Sequence, residues 1–196
     1  MCFKNTLQTY GIVTKGFHWL MAILIITMIA VGLIMADMEN TPDKFKLVGL
    51  HKAIGIIVLF LAALRFGWKI INISPALPDS MSKIMKLGAN LSHYALYALM
   101  FAMPLTGWLM SSAAGFPVSV FGLFVMPNLI APNKEFGHFM RELHEIFAWT
   151  LVGLITLHVS AALLHHFYYK DNILRRMLPN FRGKNEIKNS DYSTGC

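Results

Sequence analysis

Four long apolar stretches, separated by polar or Gly/Pro-containing connections, divide the chain. They cover residues 18–36, 50–71, 91–112 and 143–169. Each is as long as the roughly 20 residues that an α-helix needs to cross a bilayer. Because backbone polar groups in lipid must form their hydrogen bonds within the segment, we expect helices rather than strands. The pattern predicts an all-α membrane protein with four transmembrane helices packed as a single bundle in the lipid bilayer.

The connections set the expected limits of these helices. The segment MENTPDKFKLVG predicts a loop that places His51 at the mouth of helix two, and NISPALPDSMSKIMK predicts a loop before a third helix that begins near Asn90. Pro104 is expected to kink helix three. We expect residues 1–183 to form the single membrane domain and residues 184–196 to be a disordered polar tail.

The longest connection has two parts. GFPVSVFGLFVMP is too short and too interrupted by Gly and Pro to span, so it predicts an apolar lid at the outer membrane surface. NKEFGHFMRELHE follows and predicts an amphipathic start to helix four, with His138 as a surface histidine. The connection therefore predicts a cover on the bundle rather than a fifth span.

Composition supports a membrane class, and charge gives an orientation. Of the residues, 56% are hydrophobic and 14% are charged. With four helices both termini lie on one side, and that side holds all but five of the 17 lysines and arginines. Positive loops remain in the cytoplasm, so both termini are expected there. The net charge of +7 reflects this asymmetry and indicates no nucleic-acid binding. The five remaining cations are Lys44, Lys46, Lys52, Lys134 and Arg141.

Helix four carries histidines that a plain membrane anchor does not need. Fourteen residues at 100° each bring His158 to within about 40° of His144 on one helix face. The two imidazoles are then roughly 21 Å apart in depth, which is most of a hydrocarbon core about 30 Å thick. This spacing suits two metal centres stacked across the membrane. His165 and His166 fit equally well as polar residues that extend to the headgroups.

Depth sorts the other histidines into possible partners. His51 lies at the outer end with His144, while His18 and His93 lie toward the inner side with His158. Two axial pairs can be drawn, His51 with His144 and His18 with His158. Haem iron takes such ligands in helix bundles, whereas zinc needs a tight cluster of three or four ligands, which the sequence does not contain. No C-x-x-C-H motif offers covalent haem attachment.

Several short motifs resemble the bacterial cytochrome b561 family over residues 10 to about 179. They are F-H-W at 17–19, L-H-K at 50–52, L-S-H-Y at 91–94, P-L-T-G at 104–107 and L-H-V-S-A-A-L-L-H-H-F-Y-Y-K-D-N-I-L-R-R-M-L-P at 157–179. The resemblance implies two b-type haems with bis-histidine ligation, and quinone chemistry, in a bacterial inner membrane. By the family's motifs, His18 and His158 match one ligand pair, and His51 and His144 match the other. His93 matches a family histidine near the inner haem or a quinone, and it remains an alternative ligand to His18 or His158.

The resemblance implies a redox function with more than one form. The first is an enzyme that oxidises superoxide at the periplasmic face and reduces ubiquinone. The second is an electron carrier between the quinone pool and a partner redox protein, and the third is a haem-bearing structural subunit. Quinone reduction needs proton donors near the inner haem, and each candidate also fits an ordinary interface residue. The candidates are His93, His165, Trp68 and Lys69.

Overall fold

The computed structural model describes residues 2–78 and 80–179. These residues form a helical bundle. The four long helices are α1 (Ile12–Asp37), α2 (Pro42–Ile70), α3 (Lys83–Ala113) and α4 (Lys134–Phe167), and a short α5 (Ile173–Met177) follows. All four long helices are apolar and long enough to cross a membrane. The predicted multi-pass membrane bundle is therefore confirmed. The predicted tail, residues 184–196, lies outside the described residues.

Three helices begin earlier than the sequence pattern predicted, and the first of them, α1, starts at Ile12 rather than near residue 18. Helix α2 starts at Pro42 and α3 starts at Lys83, so part of each expected loop is helical. The side chain of Thr41 accepts a hydrogen bond from the amide of Lys44, and Ser82 does the same for Met85. These N-caps satisfy free amides of the first turn, and Pro42 needs no partner at that position. Local capping chemistry thus extends both helices beyond the apolar stretch.

Consecutive helices pack against one another, α1 on α2, α2 on α3 and α3 on α4. One buried cluster joins three of them through Met21, Val58, Ala62 and Met100. We call the end where α1 and α3 finish the hairpin end, and the opposite end, which carries the described residues before α1 and after α4, the terminal end.

The predicted lid is a small β-hairpin at the hairpin end. Strands β1 (Val118–Val120) and β2 (Phe124–Met126) pair antiparallel, and the turn between them uses positive φ at Phe121 and Gly122. Val118 and Val120 are buried against Ile56 of α2. The alternation of buried and exposed residues is that of a strand with one packed face. The sequence analysis missed the strands because the segment is short and nearly all apolar.

The lid is also held by hydrogen bonds to α3. The indole N–H of Trp108 donates to the carbonyl of Pro127 at 3.1 Å, and the amide of Leu129 donates to the hydroxyl of Ser112 at 3.2 Å. Asn133 then accepts from the amide of Phe136 and caps α4. As predicted, the segment before residue 143 is the start of this helix, and His138 is exposed beside Glu142.

At the terminal end, α5 and the residue after it are joined to the rest of the protein by three side-chain hydrogen bonds. Lys15 donates to the carbonyl of Leu178, Trp19 to that of Met177 and Arg176 to that of Ala76. All three acceptors are main-chain oxygens, so this connection depends on the position of the backbone rather than on acidic partners. It fixes the segment after α4 against the start of α1.

Candidate functional site

Two imidazole pairs face each other across the bundle, one near each end. The rings of His18 and His158 have centroids 6.2 Å apart, and those of His51 and His144 are 6.4 Å apart. Helix α4 supplies one ring to each pair, as its fourteen-residue spacing predicted. The structure therefore brings together both pairs drawn from the sequence.

The histidines that face α4 in these pairs belong to helices that do not pack closely on α4. His18 belongs to α1 and His51 to α2, and neither α1–α4 nor α2–α4 is among the helix pairs that pack closely in the described part of the chain. Two imidazoles that bind one metal from opposite sides, with bonds of about 2 Å, have ring centroids roughly 6.4 Å apart. Both pairs match this separation, so the residues present fit a metal held in a flat macrocycle.

His93 lies at the same depth as the terminal-end pair. Its ring is 5.4 Å from that of His158, with an angle of 66° between the planes. Three imidazoles therefore meet at the terminal end and two at the hairpin end. The shorter separation suits an edge contact against His158 better than a position on the far side of a metal. His93 is therefore a second imidazole close to His158, beside His18.

The orientation of His144 is set by α3. Its Nδ1 lies 3.1 Å from the carbonyl oxygen of Met103 and 3.0 Å from the hydroxyl oxygen of Thr106. Thr106 itself donates to the same carbonyl at 2.8 Å. Because a carbonyl only accepts, Nδ1 carries the proton, and Nε2 keeps a free lone pair for a metal. A hydrogen bond from the nitrogen that does not bind the metal orients a ligating histidine in this way.

Small residues leave room for the hairpin-end imidazoles. A β-carbon added at Gly107 would lie 3.2 Å from Cε1 of His144, and one at Gly32 would lie 3.5 Å from Cε1 of His51. The first distance is tighter than ordinary packing and the second is ordinary contact. Nδ1 of His51 is buried without a hydrogen-bond partner among the described residues, so packing alone holds that ring. The P-L-T-G motif at 104–107 thus supplies both the polar contact and the space for His144.

The surroundings of His18 differ in kind. A guanidinium nitrogen of Arg65 lies 3.4 Å from Nδ1 of His18, and the ring of Trp19 packs edge-on at 5.2 Å. Arg65 is in turn held by Tyr97, which accepts from Nε at 3.4 Å. Sequence reasoning assigned no role to Arg65, since 47 positions separate it from His18 and no local motif links them. A cation therefore faces the terminal-end pair.

The other candidate residues lie at the terminal end in separate contacts. Lys69 has its ammonium group 4.3 Å from the ring centre of Tyr97 and 5.4 Å from that of Tyr94. The indole N–H of Trp68 donates to the hydroxyl of Thr14 at 3.0 Å, which joins α2 to α1. Lys69 thus remains near the histidine cluster, while Trp68 has a structural partner.

His165 is buried, unlike a residue that extends to the headgroups. Its Nδ1 lies 2.5 Å from a carboxylate oxygen of Asp171, and the other oxygen of that carboxylate accepts from the amide of Ile173. The pair connects the end of α4 to α5. Sequence reasoning missed Asp171, although a carboxylate six residues after a histidine at a helix end was a usable signal.

Tyr10 precedes α1 in the same region. Burial raises the pKa of its hydroxyl, and the positive charges of Arg176 and Arg65 offset part of that effect. Arginines from α2 and α5 thus act on one short segment. Arg65 therefore lies near both His18 and the segment before α1.

Comparison with known proteins identifies the family of the chain. Residues 9–180 match the family described as prokaryotic cytochrome b561. The chain belongs to the prokaryotic cytochrome b561 family. This cytochrome b561 is 40% identical over 179 residues to cytochrome b561 homolog 2 of Escherichia coli K12, with 91% of this chain and 95% of the relative aligned. It is 30% identical over 177 residues to a probable superoxide oxidase of Yersinia pestis, covering 90% of this chain and 99% of the relative.

A third relative is cytochrome b561 homolog 1 of Escherichia coli K12, at 30% identity over 171 residues, with 83% of this chain and 92% of the relative aligned. Members of the family bind b-type haem, so the resemblance found in the sequence is confirmed at the level of the family. The protein is a membrane cytochrome b that carries electrons.

Replacing Gly107 with alanine is expected to weaken haem retention at the hairpin end roughly tenfold. The added methyl group would meet Cε1 of His144 at 3.2 Å and force the ring or the helix to shift. Haem per protein, measured by the pyridine haemochrome method after washing with competing apomyoglobin, tests this. Gly153→Ala on α4 is the matched control, since nothing lies within 4 Å of its added β-carbon. Equal haem loss in both variants would contradict the proposed role of Gly107.

Proposed function

We propose that this cytochrome b561 binds two haems and transfers electrons from superoxide at the periplasmic face of the bacterial inner membrane to ubiquinone at the cytoplasmic side. The observation that supports this proposal is the ring separation in both imidazole pairs, which is that expected of two histidines binding one metal. His18 and His158 would hold one haem, and His51 and His144 the other. The relative named probable superoxide oxidase supports the choice of substrate.

Haem bound in this way supplies reversible one-electron chemistry at two depths of the membrane. With a histidine from each side, His18 and His158 would hold one haem and His51 and His144 the other without leaving a site for dioxygen on the metal. The residues of the protein instead fix the imidazoles, exclude water and shape the two surfaces where reactants arrive. The Met103 carbonyl and the Thr106 hydroxyl do the first of these for His144.

Charge supports the proposed orientation. Cationic side chains concentrate at the terminal end, where α5 alone contributes Arg175 and Arg176 and α2 ends with Lys69. Loops rich in lysine and arginine remain in the cytoplasm. Both termini are therefore proposed to be cytoplasmic, and the hairpin end faces the periplasm.

Superoxide is a small anion, so its approach depends on a local positive field. Among the cations of the hairpin end, Lys52 directly follows His51 and is half-buried. Its ammonium group donates to Ser111 at 3.0 Å, and Ser111 donates to the carbonyl of Phe116 in the lid. Lys52 thus places a fixed charge beneath the lid, beside a proposed haem ligand. The acidic residues of that side outnumber its five cations, so the capture of superoxide would depend on such a local charge; they are Asp37, Glu39, Asp43, Glu135, Glu142 and Glu145.

The proposed reaction at the other side consumes protons. Two superoxide anions give two dioxygen molecules and two electrons, which with two protons convert one ubiquinone to its quinol. Lys69, Tyr94 and the His165–Asp171 pair lie at the terminal end and are the polar groups proposed to bind the quinone and deliver protons. His93, beside His158, is proposed to contact a haem edge or the quinone.

Purified protein in detergent is expected to show haem reduction by superoxide faster than superoxide dismutates, followed by quinone reduction. Stopped-flow absorbance with anaerobically handled, oxidised protein measures both steps. Replacing Lys52 with glutamine should slow the first step roughly three- to tenfold at low salt, and the difference should shrink as ionic strength rises. Lys46→Gln is the control, since Lys46 is exposed and already paired with Asp43 at 3.0 Å.

The same experiment separates the enzyme from its alternative. If superoxide reduces the haems no faster than it dismutates, the oxidase function fails. The protein would then be an electron carrier between the quinone pool and a partner redox protein. A normal rate of haem reduction by superoxide in the Lys52→Gln variant would be consistent with the oxidase function but would contradict a role for Lys52 in attracting superoxide.

A further inference from the structure

Arg65 places a permanent positive charge against one proposed ligand pair. The residue is half-buried on α2, and its guanidinium lies 3.4 Å from Nδ1 of His18. Tyr97 holds it in two ways, through a hydrogen bond from Nε at 3.4 Å and through its ring, 5.5 Å from the guanidinium carbon. No carboxylate of the described residues forms an ion pair with it. The charge is therefore fixed, close and not neutralised by a neighbouring anion.

The hairpin-end pair has a different environment, because the neighbouring cation, Lys52, donates to Ser111 rather than facing an imidazole. His144 donates from Nδ1 toward a carbonyl oxygen, which makes the imidazole a stronger electron donor to a bound metal. Within the described residues, neither His144 nor His51 has a cation in hydrogen-bond contact. An electron-rich ligand favours ferric iron, whereas a nearby cation favours ferrous iron, which carries one positive charge less.

We propose that Arg65 sets the order of the two reduction potentials, by raising that of the His18–His158 centre above that of the His51–His144 centre. The inference rests on the ligand pairs of the proposed function and adds a direction to it. Electrons then move favourably from the hairpin end toward the terminal end, which is the direction that superoxide oxidation with quinone reduction needs. A metal-bound His18 would carry its proton on Nδ1, so Arg65 acts through the field of its charge at 3.4 Å, and it is a tuning residue rather than a catalytic one.

Redox titration followed by visible absorbance tests the proposal on the purified, haem-loaded protein. At a fixed ambient potential, Arg65→Gln should lower the ferrous-to-ferric ratio of the terminal-end centre about tenfold, which is about 59 mV for one electron. Arg65→Lys keeps the charge and should retain most of the wild-type potential. Arg141→Gln, which removes an exposed charge at the hairpin end, should leave the terminal-end centre unchanged.

Assignment of the shifted centre comes from a one-haem background. In a His144→Ala protein only the terminal-end centre remains, and Arg65→Gln should lower its single potential by the same amount. If Arg65→Gln loses haem, Tyr97→Phe replaces it, because loss of the phenol frees the guanidinium and should lower the same potential by a smaller amount. Absence of that shift in the usable variant, or a shift of the hairpin-end centre instead, overturns the proposal. Wild-type protein with fewer than two haems would instead overturn the proposed function on which it rests.

Discussion

Replacing His144 with alanine is expected to leave one haem per protein instead of two. Its ring faces that of His51 at 6.4 Å, its Nδ1 is committed to the carbonyl of Met103, and no third imidazole contacts this pair among the described residues. The pyridine haemochrome content per polypeptide measures the loss. The retained haem should keep a bis-histidine low-spin spectrum, because the other pair is roughly 21 Å away along α4.

His138→Ala is the matched control for this variant. It removes an imidazole from the same helix, six residues away, where the ring is exposed and contacts Glu142 at 3.4 Å. Haem content should stay at two per protein. Two haems in the His144→Ala protein would contradict the pairing of His144 with His51, whereas haem loss in both variants would indicate general damage to α4.

His18→Ala and His93→Ala are expected to differ in their effect on the haem content of the terminal end. His18 faces His158 at 6.2 Å, close to the roughly 6.4 Å of two opposed axial ligands, whereas His93 is closer, at 5.4 Å. Loss of His18 should therefore remove the terminal-end haem and lower the content to one. Loss of His93 should keep both haems and change the reaction with quinone.

The two variants decide between the ligand assignments that the sequence left open. One haem in His93→Ala together with two in His18→Ala would make His93 the partner of His158. Electron paramagnetic resonance of the oxidised proteins adds a second measurement, because the low-spin signal of the affected haem disappears with its ligand. Both variants keep Arg65 and Tyr97, so the signal of the hairpin-end haem serves as an internal standard.

The different surroundings of the two proposed haems would give electron transfer between them a preferred direction. One ligand donates to a main-chain carbonyl and another faces a guanidinium. Both contacts come from helices other than that of the ligand, so packing of the bundle, rather than the ligand motif, distinguishes the two centres. Helix α2 contributes to both, with His51 near one end and Arg65 near the other.

Local patterns predicted much of the fold. The apolar stretches fixed the number of spans, but the capping residues Thr41 and Ser82 decided where α2 and α3 begin. The lid was predicted as an apolar surface segment, and its β-pairing was missed because strand pairing depends on partners and on the helix beneath. Hydropathy registers burial in lipid or protein and is insensitive to these contacts.

The sequence by itself determined the four helices and the placement of His144 and His158 on one face of α4. A helix closes its hydrogen bonds within four residues, so spacing along it is already geometry. Only the tertiary structure decided that His18 and His93 both lie close to His158, that Thr106 and Met103 orient His144, and that Arg65 faces His18. These contacts join residues on different helices, and no local periodicity records which faces the packed helices turn toward one another.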